Sequence, residues 1–178
     1  IQAISQNIRN QKPDYIPQLF KFIQIVMAAN KNETKYATCG TPDKFWSTWN
    51  EQYVEKQNEL LDKTVIGRQV TKQDRDIISL FEKERFLELI KDFIIFEAGT
   101  KKICRYQQYF AVKAMLERIK HDKKGGVVWH TQGSGKTLTM VWLAKWILTH
   151  WAELNARVLI VTDRDELDEQ IEKTFTGV

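Results

Sequence analysis

Apolar side chains recur at three- and four-residue spacing through three stretches of this chain, fill a fourth almost all round, and gather into two short unbroken runs. That pattern predicts helices alternating with buried strands. Between Ile16 and Asn30, the residues Leu19, Phe22, Ile23, Val26 and Met27 share one face of an amphipathic helix, although the β-branched residues leave a strand open. From Thr71 to Glu97 the chain is charged and then helical in pattern, with Phe86, Leu89, Ile90, Phe93 and Ile94 on one side, until Gly99 and Thr100 break it. The next helix opens at Arg105, places Tyr109, Val112, Met115, Leu116 and Ile119 together, and ends before Gly125-Gly126. A short strand, Val127 to Trp129, follows; then come a glycine-rich turn, a helix from Lys136 to about Trp151, and a second strand, Val158 to Thr162. Strand, helix, strand in that order implies a right-handed parallel crossover. The intervening helix is apolar almost all round, so it needs partners on both sides, one of them the sheet and the other a neighbour such as the segment before residue 100.

The turn reads His130-Thr-Gln-Gly-Ser-Gly-Lys-Thr137 and has the form of a phosphate-binding loop. Gly133 and Gly135 lack the Cβ that would keep backbone N–H groups from phosphate oxygens, and the following helix directs its positive dipole end at the same place. Lys136 is placed for the β- and γ-phosphates of a nucleotide, and the Thr137 hydroxyl for a Mg²⁺ ion. The first position of the usual pattern, a glycine, is His130 here. The bland alternative is a glycine turn beside an exposed lysine.

Composition narrows the setting. A chain of 178 residues with 43% hydrophobic and 28% charged residues is ordinary for globular domains and excludes disorder as its main state. Cys39 and Cys104 lie far apart without metal-ligand spacing, which fits a reduced, cytoplasmic compartment, and no long apolar run suggests a membrane span. The first residue is Ile1, with no leader pattern, so the sequence is expected to be a piece of something longer. A net charge of +4 is compatible with nucleic acid without demanding it. Arg118, Lys120, Lys123 and Lys124 form the clearest basic cluster, read as a solvated helix end. Phe45, Trp46 and Trp49 follow the turn at Gly40-Thr41-Pro42; such rings can stack on bases or bury themselves at a helix start, and the latter is the expected use.

Nucleotide hydrolysis also needs a carboxylate at another strand end. Asp163 ends the second apolar run, which begins 22 residues after Lys136; that spacing makes it the next strand along the chain, and Asp163-Arg164-Asp165 a strand-end loop. Gln108, 28 residues before Lys136, carries an amide that can both donate to and accept from an adenine edge; an exposed glutamine is the competing reading.

The runs IPQLFKFIQIVMAANKNETKYAT, TPDKFW, RYQQYFAVKAMLERI, GGVVWHTQGSGKTLTM and VLIVTDRDELDEQI, in this order, resemble the motor and nuclease (HsdR, R) subunit of type I restriction-modification enzymes across nearly the whole chain. His130 ahead of the loop is usual for that family. The resemblance implies that Arg105 and Gln108 form an adenine-reading motif, that Thr131 and Gly133 to Thr137 hold the phosphates of ATP with Lys136 as the catalytic cation, that Thr137 binds Mg²⁺, and that Arg164 lies near DNA. It implies an α/β fold in which a helical connecting segment leads into a RecA-like parallel sheet of superfamily 2 helicase type. Residues 1–60 would be the tail of an N-terminal nuclease domain, 61–99 a helical linker and 100–178 the start of the first ATPase lobe. The nuclease acids would precede Ile1. A further nuclease element, Gln-x-x-x-Tyr, would carry over only at Gln6, because Asn10 stands at the tyrosine position. Expected partners are double-stranded DNA and the methylation and specificity subunits, with no membrane, and the piece alone is expected to be inactive. Two other classes remain open: a nucleotide or metabolite kinase, against which the absence of an arginine-bearing lid after the loop tells, and a docking module centred on Phe45 to Trp49.

Overall fold

The computed structural model describes residues 2–51, 55–97, 99–122, 124–162, 171–172 and 174–176. Its elements run α1 (Gln2–Asn10), α2 (Pro17–Phe20), β1 (Val26–Asn30), β2 (Glu33–Ala37), a 3-10 turn (Asp43–Phe45), α3 (Glu55–Thr64), α4 (Lys72–Leu80), α5 (Lys83–Asp92), β3 (Ile94–Glu97), β4 (Thr100–Ile103), α6 (Tyr106–His121) and α7 (Lys136–His150).

The apolar stretch from Ile16 to Asn30 does not form the expected helix. Pro17 starts a single helical turn, and the chain then extends into β1, which pairs antiparallel with β2 in the register Val26↔Ala37 to Asn30↔Glu33. Two local forces decide this. Ile23, Ile25 and Val26 are stiff at χ1 and favour extended backbone, and the Asn30 side chain closes the turn by accepting from the backbone N–H groups of Asn32 and Glu33 at 2.8 and 2.9 Å. The hairpin buries Val26 and Ala37 with Ile4 of α1 and Trp46.

The stretch from Thr71 to Glu97 divides where a single helix was the simplest expectation. Thr71 caps α4 through a reciprocal pair with Asp74. The Glu82 carboxylate then accepts from the Arg85 N–H at 2.9 Å and starts α5 afresh. Ile94, read as the end of a helical face, instead opens a second antiparallel hairpin, β3 with β4, turned at Gly99 with φ +76°. A short apolar run abutting a helix carries no periodicity that separates strand from helix, and only the glycine at a left-handed position marked the turn.

One hydrophobic core joins the two sides of Gly99. Tyr36, Trp49, Leu80, Leu89 and Phe93 pack in it with Cys104, Tyr109, Val112, Leu116 and Trp142. Trp49 is wholly buried, its ring centroid 5.9 Å from Tyr36, 5.6 Å from Tyr109 and 5.9 Å from Phe110. Arg85 lies over the same aromatic group, 5.7 Å from the Trp49 and 5.8 Å from the Tyr109 ring centroid, and makes a two-pronged ion pair with Glu51. The Trp49 indole donates to Ser79 at 2.8 Å, and the Ser79 hydroxyl in turn reaches Glu51. The Tyr36 hydroxyl, which burial pushes well above its ordinary pKa and so keeps neutral, donates to the Cys104 carbonyl at 2.8 Å.

Helices α6 and α7 form as their apolar periodicity predicts, and they pack together. The all-round apolar α7 finds its second neighbour before residue 100, as expected: Lys145 donates to the Ile94 carbonyl at 2.8 Å, and His150 pairs with Asp92 at 2.9 Å. The sheet expected on its other side is not formed among the described residues. Residues 127–129 and 158–162 make no ladder, and Val127, Trp129, Leu159 and Val161 are exposed. The strands that do pair among those residues belong to two antiparallel hairpins. Hairpins close locally through a few residues, whereas a parallel strand needs a partner brought to its edge by a crossover. No helix among the described residues is long and apolar enough to cross a membrane.

Replacing Glu51 by alanine strips a mostly buried guanidinium of its carboxylate and is expected to cost about 3–5 kcal/mol, whereas Glu84→Ala on the exposed side of α5 is expected to stay within about 0.5 kcal/mol. Urea unfolding of both variants beside the parent chain checks the difference.

Candidate nucleotide site

The loop from His130 to Lys136 is shaped by two left-handed glycines. Gly133 has φ +75° and Gly135 φ +81°, conformations that side-chain-bearing residues rarely adopt. Gly135 is also the N-cap of α7, so the turn delivers the chain directly into the first helical residue, Lys136. The Ser134 N–H donates to the Thr131 carbonyl at 3.3 Å and closes the turn. The Lys136 ammonium folds back onto the loop, donating to the carbonyls of His130 at 3.0 Å and Thr131 at 3.3 Å. Thr139 Oγ and its N–H both reach the Gly135 carbonyl, fastening the first turn of α7.

Gln108 is part of this structure. It is 3% exposed, and its carboxamide connects two elements: Oε1 accepts from the Arg105 N–H at 2.8 Å, while Nε2 donates to the carbonyls of Ser134 at 3.2 Å and Gly135 at 3.1 Å. One amide therefore caps α6 and grips the loop, and it leaves a Cβ on Gly135 only 2.5 Å from Nε2. The glycine is required twice, by its φ and by that approach. Of the two sequence readings for Gln108, the exposed one is excluded.

The loop fits phosphate and metal in the ways that can be tested on its own atoms. Ser134 Oγ and His130 Nδ1 are buried without a hydrogen-bond partner, so hydrogen-bonding capacity is left over at the loop. Thr137, half-buried in the first turn of α7, is a single hydroxyl; among the described residues no group of three or more His, Cys, Asp or Glu could hold a metal.

Arg105, Gln108, Gly133 to Gly135, Leu138 and Trp142 line a cleft of about 470 Å³. Thr38, Thr41, Pro42 and Phe45, from far earlier in the chain, line it too. A larger open groove of about 810 Å³ along Arg68 to Gln73 is less suited to an anion, because Arg68 pairs with Asp74 and Lys72 with Asp76. The remaining sequence candidates lie elsewhere. Gln6 is exposed on α1. Arg118 is turned to the Gly125 carbonyl at 2.8 Å and Lys120 covers the Trp146 ring, which is the behaviour of a helix end. Asp163, Arg164 and Asp165 lie outside the described residues. Sequence reasoning missed the wall at Thr38 to Phe45; the turn at Gly40-Thr41-Pro42 beside an aromatic cluster was its one signal.

Comparison with known proteins gives two family matches. Residues 1–45 match the type I restriction enzyme R protein N terminus and residues 107–178 the SWI2/SNF2 ATPase. The chain is 34% identical to the putative type I restriction enzyme MjaIXP endonuclease subunit of Methanocaldococcus jannaschii, over 97% of this chain and 18% of that protein. It is 30% identical to the putative MjaVIIP endonuclease subunit of the same organism, over 100% of this chain and 17% of that protein. With the type I restriction enzyme HindI endonuclease subunit of Haemophilus influenzae the identity is 36%, over 55% of this chain and 10% of that protein. The chain thus spans less than a fifth of the length of these relatives.

Gly135→Ala is expected to destabilise the loop by about 1–3 kcal/mol through its left-handed φ, with an added clash against Gln108. Adding Gln108→Ala to that variant removes the clash and leaves the backbone cost, so the pair should be less than additive in a double-mutant cycle read by thermal unfolding.

Proposed function

The chain is a relative of the endonuclease (R) subunits of type I restriction enzymes, and on that premise we propose that it carries the ATP phosphate loop of an ATP-dependent, DNA-translocating and DNA-cleaving subunit. The observation that carries this reading is the Gln108 bridge: Arg105, Gln108 and the glycine turn line one cleft, and in this reading the Gln108 amide would exchange its backbone contacts for the adenine edge. In this reading the N–H groups of Gly133 to Lys136 and the Lys136 ammonium take the phosphates, Thr131 completes the loop, and Thr137 holds Mg²⁺, which supplies charge neutralisation between phosphate oxygens. Lys136 would exchange its contacts with the His130 and Thr131 carbonyls for phosphate oxygens, a trade of neutral for charged acceptors that favours the nucleotide.

The two family matches support dividing the chain into a nuclease-domain tail over residues 1–60, a connecting helical segment over 61–99 and the start of an ATPase lobe over 100–178. In the ATPase lobe the exposed apolar runs at 127–129 and 158–162 would enter a RecA-like parallel sheet. The DNA contact at Arg164, the double-stranded DNA substrate, and association with methylation and specificity subunits are carried by the family relationship.

The cleft is lined by no Asp or Glu among the described residues. Phosphoryl transfer on such loops takes a carboxylate that orients water and an arginine that meets the developing charge. The 178-residue chain is therefore expected to bind ATP without turning it over. Calorimetric titration should show ATP binding that Lys136→Ala weakens by about 10- to 100-fold, the loss of a charged hydrogen-bond donor. ATP hydrolysis by this chain that disappears in Lys136→Ala would refute the inactive assignment. Phosphorylation of a small acceptor without DNA would favour a kinase.

A further inference from the structure

Phe45 behaves unlike its aromatic neighbours. Trp46 and Trp49 are buried at 7% and 0% exposure, whereas the Phe45 ring keeps 52% of its surface in solvent at the edge of the nucleotide cleft. Core packing, the expected use of this cluster, accounts for the two tryptophans and leaves the phenylalanine unexplained. The backbone that carries the ring is held in place all the same. The Phe45 N–H donates to the Pro42 carbonyl at 3.0 Å, and the Trp46 indole donates to the Thr41 carbonyl at 3.2 Å. The Thr38 hydroxyl donates to the Lys101 carbonyl at 2.6 Å and touches the Thr41 hydroxyl at 2.9 Å, fixing the whole wall to strand β4. Lys44 Nζ lies 4.9 Å from the Phe45 ring centroid and still leaves the ring half open.

Arg105 lines the same cleft. An exposed aromatic ring on a hydrogen-bonded turn and a planar cation, lining one cleft beside a phosphate loop, are two surfaces on which a purine stacks. A volume of about 470 Å³ accommodates a nucleoside.

The geometry points to Phe45, backed by Pro42, as a contact for the base of the nucleotide, with the purine received between this wall and Arg105. The assignment rests on the reading of the loop as an ATP site. It makes that site composite: the phosphates belong to residues after Gly99, and one face of the base belongs to the N-terminal part of the chain. Bound nucleotide then ties the segment from Thr38 to Phe45 to the phosphate loop in addition to the protein's own contacts.

The experiment compares ATP with inorganic tripolyphosphate, which offers the phosphates without the base, on the 178-residue chain. Phe45→Ala should weaken ATP binding about tenfold, the scale of one base–aromatic stack, and leave tripolyphosphate binding unchanged. Phe45→Trp should retain ATP binding. ATP, and not tripolyphosphate, should slow amide hydrogen exchange over residues 40–45. Unchanged ATP affinity in Phe45→Ala, or equal losses for both ligands, overturns the assignment while the phosphate-loop reading stands. Absence of binding by either ligand to the unaltered chain removes both together. Because the ring is half exposed, the alanine variant is expected to fold, and its unfolding midpoint shows whether it has.

Discussion

The Gln108 carboxamide is the interaction on which the candidate site depends. It spends its acceptor on the first free N–H of α6 and both donors on the carbonyls of Ser134 and Gly135, in a place almost closed to water. Buried amides left unsatisfied are costly, so α6, the loop and the start of α7 are placed relative to one another by one side chain. Gly135 follows from this, since any side chain there would meet the amide nitrogen as well as an unfavourable φ. The start of α6 and the glycine turn ahead of α7 are thereby tied together, the two parts that the proposed reading assigns to the base and the phosphates. Preorganisation of this kind lowers the ordering cost of binding.

A second constraint acts at longer range. Arg85 lies over Trp49 and Tyr109 and pairs with Glu51 across 34 residues of sequence, and the Tyr36 hydroxyl fastens β2 to the carbonyl of Cys104, one residue before Arg105. These links fix the N-terminal hairpin against the segment that begins the nucleotide motif. The wall from Thr38 to Phe45 owes its place beside the loop to them. The main core accordingly draws residues from both sides of Gly99.

Legibility followed the reach of each interaction. Helix α6 was plain in the sequence because its apolar periodicity spans four turns before Gly125-Gly126, and α7 because a long apolar run follows Gly135. The glycine turn was plain because its pattern lies within eight consecutive residues. The β1–β2 hairpin was hidden in a helical-looking pattern, since Leu19, Phe22, Ile23 and Val26 satisfy a helix face as well as they flank a strand; Asn30 closing the turn decided it. Phe45 was grouped with Trp46 and Trp49 on spacing alone, and only their unequal burial sets it apart.

By itself the sequence determined that a glycine-rich turn with the pattern of a phosphate loop precedes an apolar helix, and that its ordered motifs resemble one family, the R subunits of type I restriction enzymes. Those properties depend on residue type at fixed local spacing. The tertiary structure decided that Gln108 is a buried brace, that Lys136 rests on the carbonyls of its own loop, and that residues from the two ends of the described core meet at one cleft. Such facts depend on which distant surfaces pack together, and packing energy is a property of the assembled core that no local pattern records.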